Sequence, residues 1–129
     1  MYDVHTHFIP PEAMEWLRAN AAKVNAEWRK KDPAKAAFLS VNGQWEFELK
    51  ETFVNGELYL QERQKAGIRH SLVSPIPQLF LYDFDPAVTL DLSRAYNDGM
   101  VAWTKAHEGL SGLATVPLNA PEQAAAELE

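Results

Sequence analysis

The chain has 129 residues, 47% hydrophobic and 23% charged, which suits one globular domain and excludes a disordered segment. Its net charge of −6 argues against nucleic acid or an acidic membrane surface as a partner. Cysteine is absent, so there is no disulfide framework and no thiolate site, and any metal must be held by His, Asp or Glu.

The start, Met1-Tyr2-Asp3, lacks a basic targeting region, and no apolar run approaches a membrane span, so a cytoplasmic protein is expected. Tyr2 to Phe8 reads as a strand stopped by Pro10-Pro11, because proline cannot donate to a ladder. Pro11 suits the first turn of a helix. That helix is expected over Glu12 to Lys31, with Met14, Leu17, Ala21, Val24 and Trp28 on one apolar stripe. Asp32-Pro33 ends it.

The period then changes. Phe38 to Val41, Asn42-Gly43, and Gln44 to Leu49 form a hairpin signal, since Asn-Gly supplies the two positive-φ residues of a type I′ turn. Trp45, Phe47 and Leu49 alternate with polar residues and point to one buried face. Residues 36–54 are therefore expected as an antiparallel insertion after the first strand.

Helices and strands alternate from Asn55 onward. Glu57 to Ala66 reads as a helix closed by Gly67, and His70 to Ile76 as an apolar strand. Asp85-Pro86 is a cap followed by proline at the first helical position. The helix it starts carries Val88, Leu92, Tyr96, Gly99 and Trp103 on one stripe and ends near Lys105, His107 and Gly109. Leu110 to Leu118 is a third strand, and Pro121 begins a last short helix. Strands separated by amphipathic helices imply a parallel sheet with right-handed crossovers. The last helix is uncapped and ends on Glu127-Leu128-Glu129, at the negative end of its own dipole. With the open sheet edge, this reads as a chain that continues past Glu129. The same edge could pair two copies as a homodimer.

His5 and His7 are the main candidates for chemistry. Residues two apart on a strand share a face, and these two lie at its C-terminal end, where parallel α/β folds place their sites. Two imidazoles spaced by roughly 7 Å of backbone can converge on one zinc ion, with Asp3 behind them to orient a ligand. The competing reading is a pair of polar residues at a strand end with no metal. His70 and His107 read as structural, and Asp85 as a cap. Phe80 and Tyr82, after the second strand, are candidates for the wall of a substrate pocket, or else simple packing.

Four stretches in order carry a resemblance: DVHTHFIP, AGIRHSLVSPIPQLF, an Ala-Tyr-Asn-Asp helix, and GLATVPLNAPEQAAAELE. Together they resemble the N-terminal part of the amidohydrolase-related (amidohydrolase 2) family, which includes the 2-amino-3-carboxymuconate 6-semialdehyde, resorcylate and carboxyvanillate decarboxylases. The resemblance implies an α/β fold, with residues 1–129 as a single incomplete domain. That domain would hold about three of the eight βα units of a metal-dependent-hydrolase-type TIM barrel, with the hairpin as an insertion. It also implies a divalent metal at the barrel mouth, zinc before manganese, with His5 and His7 as two ligands. Further ligands and the catalytic group would lie beyond residue 129. The activity implied is a metal-dependent decarboxylase or hydrolase acting on a small unsaturated or aromatic carboxylic acid. The alternative is an inactive fragment or a small binding module of the same fold family. Two positions depart from the family's pattern. Arg63-Gln64 stands where Met-Asp is common, and the stretch from Trp45 to Phe53 offers Lys50 but no arginine for a substrate carboxylate.

Overall fold

The computed structural model describes residues 1–129 apart from the side chain of Trp45, so the inward-facing Trp45 expected above lies outside the described side chains. Proline sets the first boundary: β1 (Tyr2–His7) gives way to Pro10, and Pro11 is the first residue of α1 (Pro11–Ala19).

The long helix expected over Glu12 to Lys31 is not formed. α1 stops at Asn20, whose backbone N–H and side-chain Nδ2 both donate to the Trp16 carbonyl, at 2.9 and 3.0 Å. One more turn, α2 (Ala21–Val24), ends on Asn25 in the left-handed region at φ 49°. Asparagine tolerates that conformation, and its amide competes with helical bonding. Ala26–Arg29 is then a strand, β2, antiparallel to β3 (Phe38–Val41) with Trp28 opposite Leu39. β4 (Gln44–Glu48) completes a sheet of order β2-β3-β4. Asn42 and Gly43 have φ of 55° and 67°, as the expected turn requires. The antiparallel insertion thus has three strands and starts ten residues earlier than position 36.

The second sheet is parallel, in the order β1-β5-β6, with β5 at His70–Ser74 and β6 at Leu110–Gly112. Both later strands are shorter than expected. β5 stops where Pro75 offers no donor. Beyond Gly112 only the Leu113 N–H still reaches the ladder, donating to the Val73 carbonyl at 2.8 Å. Thr115 is instead held from the side by Asn97. Its N–H donates to Asn97 Oδ1, and Asn97 Nδ2 donates to its carbonyl, both at 2.8 Å.

Two helices link these strands. α3 (Gly56–Lys65) is capped by Asn55, whose side chain accepts the Leu58 N–H at 3.1 Å. It closes through Gly67, at φ 67°, with Gly67 N–H on the Gln64 carbonyl and Ile68 N–H on the Arg63 carbonyl. Arg63 lies in the last turn of α3. Its Nη2 donates to the Gly109 carbonyl at 3.0 Å and also to the Arg69 carbonyl, so the guanidinium ties together the starts of β5 and β6.

α4 (Pro86–Ala106) starts at Asp85, whose carboxylate accepts the Ala87 N–H at 2.8 Å. It buries Leu92, Tyr96 and Met100 against a core that includes Phe8, Leu17, Leu39 and Val73. Gly99 allows α1 to lie close, since a Cβ there would sit 2.7 Å from the Pro10 Cβ. α5 (Pro121–Leu128) has no side-chain cap and is pinned by Glu127, which accepts from Arg94 at 2.9 Å. No helix among the described residues is long and apolar enough to cross a membrane.

Candidate functional site

β1 delivers both histidines to its C-terminal end, and their ring centroids lie 5.2 Å apart in an edge-on arrangement. His5 is exposed and His7 half-buried. The strand is not regular between them and Asp3. Asp3 pairs with Ser71 and Thr6 with Val73, so β1 carries one residue more than β5 over this stretch. That bulge interrupts the simple alternation expected for Asp3, His5 and His7. Asp3 Oδ1 accepts the His5 backbone N–H at 3.1 Å, so it braces the chain beneath the pair and contacts no imidazole nitrogen in doing so.

The surroundings of His7 fix its tautomer. Nδ1 lies 3.1 Å from the Pro75 carbonyl oxygen and 3.0 Å from Ser74 Oγ. A carbonyl oxygen can only accept, so Nδ1 carries the hydrogen. Ser74 Oγ can accept as well, because its own proton goes to the Thr6 carbonyl at 3.1 Å. In the neutral ring Nε2 then keeps its lone pair, the arrangement a ligating histidine needs. Two imidazoles at a strand end, one already in this tautomer, fit part of a zinc or manganese site. They do not complete one. Among the described residues no group of three or more His, Cys, Asp or Glu side chains could hold a metal ion.

Tyr96 was legible in the sequence only as one member of an apolar stripe. It is 1% exposed, and its hydroxyl donates to the Phe8 carbonyl at 2.6 Å and accepts the Ile76 N–H at 3.2 Å. Burial pushes its phenol well above the ordinary tyrosine value. One side chain of α4 thus joins the chain just past β1 to the chain just past β5.

Phe80 and Tyr82 stack at 5.4 Å on either side of Leu81, which lies in the left-handed region at φ 55° with its carbonyl accepting the Thr89 hydroxyl at 2.8 Å. They line a hollow of about 250 Å³ with Val41, Asn42 and Gln44 of the antiparallel insertion. Burial raises the Tyr82 phenol above its usual value, opposed by a hydrogen bond with Thr115. His5 and His7 do not line this hollow, so the aromatic candidates and the histidine pair are not brought into one cavity by the described residues.

The remaining histidines have structural partners. His70 Nε2 is 3.0 Å from Ser111 Oγ, between two strands. His107 Nδ1 bonds the Trp103 carbonyl at 2.8 Å at the end of α4.

No family model matches the chain. Among solved structures, the chain is similar to that of Metarhizium anisopliae IDCase in apo form, with a TM-score of 0.75 and 18% sequence identity. The match covers 98% of this chain and 38% of that one. At this identity the likeness is one of fold: an α/β arrangement that spans well under half of the larger chain, with small unclosed sheets as in a partial barrel.

Proposed function

We propose that the chain is the N-terminal portion of a metal-dependent enzyme of the amidohydrolase superfamily, acting on a small unsaturated or aromatic carboxylic acid by decarboxylation or hydrolysis. The observation that carries this reading is His5-Thr6-His7 at the C-terminal end of a parallel strand, with His7 held through Nδ1 on the Pro75 carbonyl. The fold likeness to the IDCase structure and the motif order in the sequence support it.

In this reading His5 and His7 hold a divalent ion, zinc before manganese, together with ligands from outside residues 1–129. When bound, such an ion supplies Lewis-acid polarisation of a substrate oxygen and lowers the pKa of a bound water. The residues of this chain have simpler tasks. Pro75 and Ser74 hold the His7 ring, Asp3 holds the backbone at His5, and Tyr96 and Asn97 hold the strand ends from α4.

The test is the metal content and activity of the complete protein with His5→Ala and His7→Ala combined. About one ion per subunit, lost with activity in the double variant, is expected. Full activity without the two histidines overturns the reading. A second reading, an inactive fragment or a non-enzymatic module of the same fold, rests on there being two candidate ligands and no third among the described residues, and would hold if no further ligand lies outside them. Dialysis of the complete protein against buffer separates the two, since a module loses zinc readily and an enzyme retains it.

A further inference from the structure

We propose that Tyr96 is a positioning residue for His7, acting through the peptide unit that joins Pro75 to Ile76. The inference rests on the reading of His5 and His7 as metal ligands.

The Ile76 N–H that donates to the Tyr96 hydroxyl and the Pro75 carbonyl that accepts from His7 Nδ1 belong to one planar amide. Tyr96 is on its nitrogen and His7 is on its oxygen. An amide whose N–H is engaged is a stronger acceptor at its oxygen, so the buried hydroxyl strengthens the bond that sets the His7 tautomer. The second bond of the same hydroxyl, to the Phe8 carbonyl, fixes the residue next to His7. Both sides of the His7–Pro75 contact are therefore tied to one oxygen atom on α4.

The strands alone hold this point weakly. The β1–β5 register ends at His7 and Ser74, and the next bond, from Phe8 N–H to the Ser74 carbonyl, is 3.4 Å. A packing role for the Tyr96 ring would be served equally by phenylalanine, so the hydroxyl is the part that requires explanation.

Nitrogen-15 NMR of the neutral His7 ring in the complete protein, followed by Zn²⁺ titration, tests the inference. The wild type shows a single tautomer with hydrogen on Nδ1. In Tyr96→Phe the tautomers mix, and Zn²⁺ binds about ten-fold more weakly, the lower end of the usual cost of losing support behind a ligand. Met100→Ala, also buried on α4 but with no hydrogen bond to either strand end, lowers stability and keeps both the tautomer and the affinity. Ser74→Ala keeps the tautomer too, because the Pro75 amide remains. A wild-type ring signature in Tyr96→Phe overturns the inference, and so does a mixed one in Ser74→Ala. Failure of the wild type to bind Zn²⁺ while the tautomer responds as stated strikes the metal reading and leaves the positioning role standing.

Discussion

Truncating Phe8 should be among the most costly single changes in the chain. The ring is 1% exposed, stacks on Trp103 with centroids 3.9 Å apart, and meets Tyr59 edge-on at 6.1 Å. Removing a fully buried phenylalanine costs about 3–5 kcal/mol, part of it from the cavity left behind. The stack on Trp103 contributes about 0.5–1.5 kcal/mol beyond buried area. A domain of this size has a total stability of roughly 5–15 kcal/mol, so Phe8→Ala removes a large fraction of it. Urea unfolding followed by circular dichroism measures the loss without depending on Trp103 fluorescence. Phe8→Leu, which keeps an apolar group in place, should retain more than half of what Phe8→Ala loses. A double-mutant cycle with Trp103→Leu should give a coupling of about 0.5–1.5 kcal/mol. A loss below about 1 kcal/mol in Phe8→Ala, against the range for buried aromatics, would refute the placement of Phe8 at this junction.

Two further outcomes follow from backbone and charge. Gly43 has φ 67°, and a Cβ added there would meet nothing within 4 Å, so Gly43→Ala should cost about 1–2 kcal/mol of urea stability from backbone strain alone. Glu46 accepts a hydrogen bond from Lys31, which with the nearby Arg29 holds its carboxyl below the ordinary 4.5. A depressed carboxylate stabilises the fold above its unfolded pKa, and that stability disappears as pH falls through the folded value. The melting temperature of the wild type should therefore fall more steeply than that of Glu46→Gln below about the ordinary glutamate pKa, and added salt should narrow the difference.

The elements that the sequence made legible are those whose signals are local. Proline at position 11, Asn42-Gly43, Gly67 and Asp85-Pro86 each constrain the backbone where they stand, and each boundary forms as expected. The failure at residues 26–29 has a different origin. Val24 and Trp28 fit a helical stripe as well as a strand, and the choice is made by pairing with β3, the next strand of the chain. Asn20 and Asn25 were the local hints of a break. The candidate site shows the same division. His5 and His7 are close in sequence and could be singled out together, whereas Ser74, Pro75 and Tyr96 become their neighbours only through the parallel sheet and α4. Arg63 was visible only as a polar residue near the end of a helix, and its task of holding two carbonyls belongs to the folded chain.

The extra residue in β1 places a limit on how this opening segment can vary. Asp3 and Thr6, three positions apart, face the same side as Ser71 and Val73, both of them wholly buried. An odd interval between two residues on one face exists only because the strand holds an unmatched position between them. Deleting one residue there, Val4 for example, would restore a regular ladder in which Asp3 and Thr6 share a face with no unmatched position between them. Asp3 would then stand directly before His5, and the bond from the His5 N–H to its carboxylate, which spans two residues, would be lost while the histidines still shared a face. Substitution within Asp3-Val4-His5-Thr6-His7 is a local matter, but a change in its length is not.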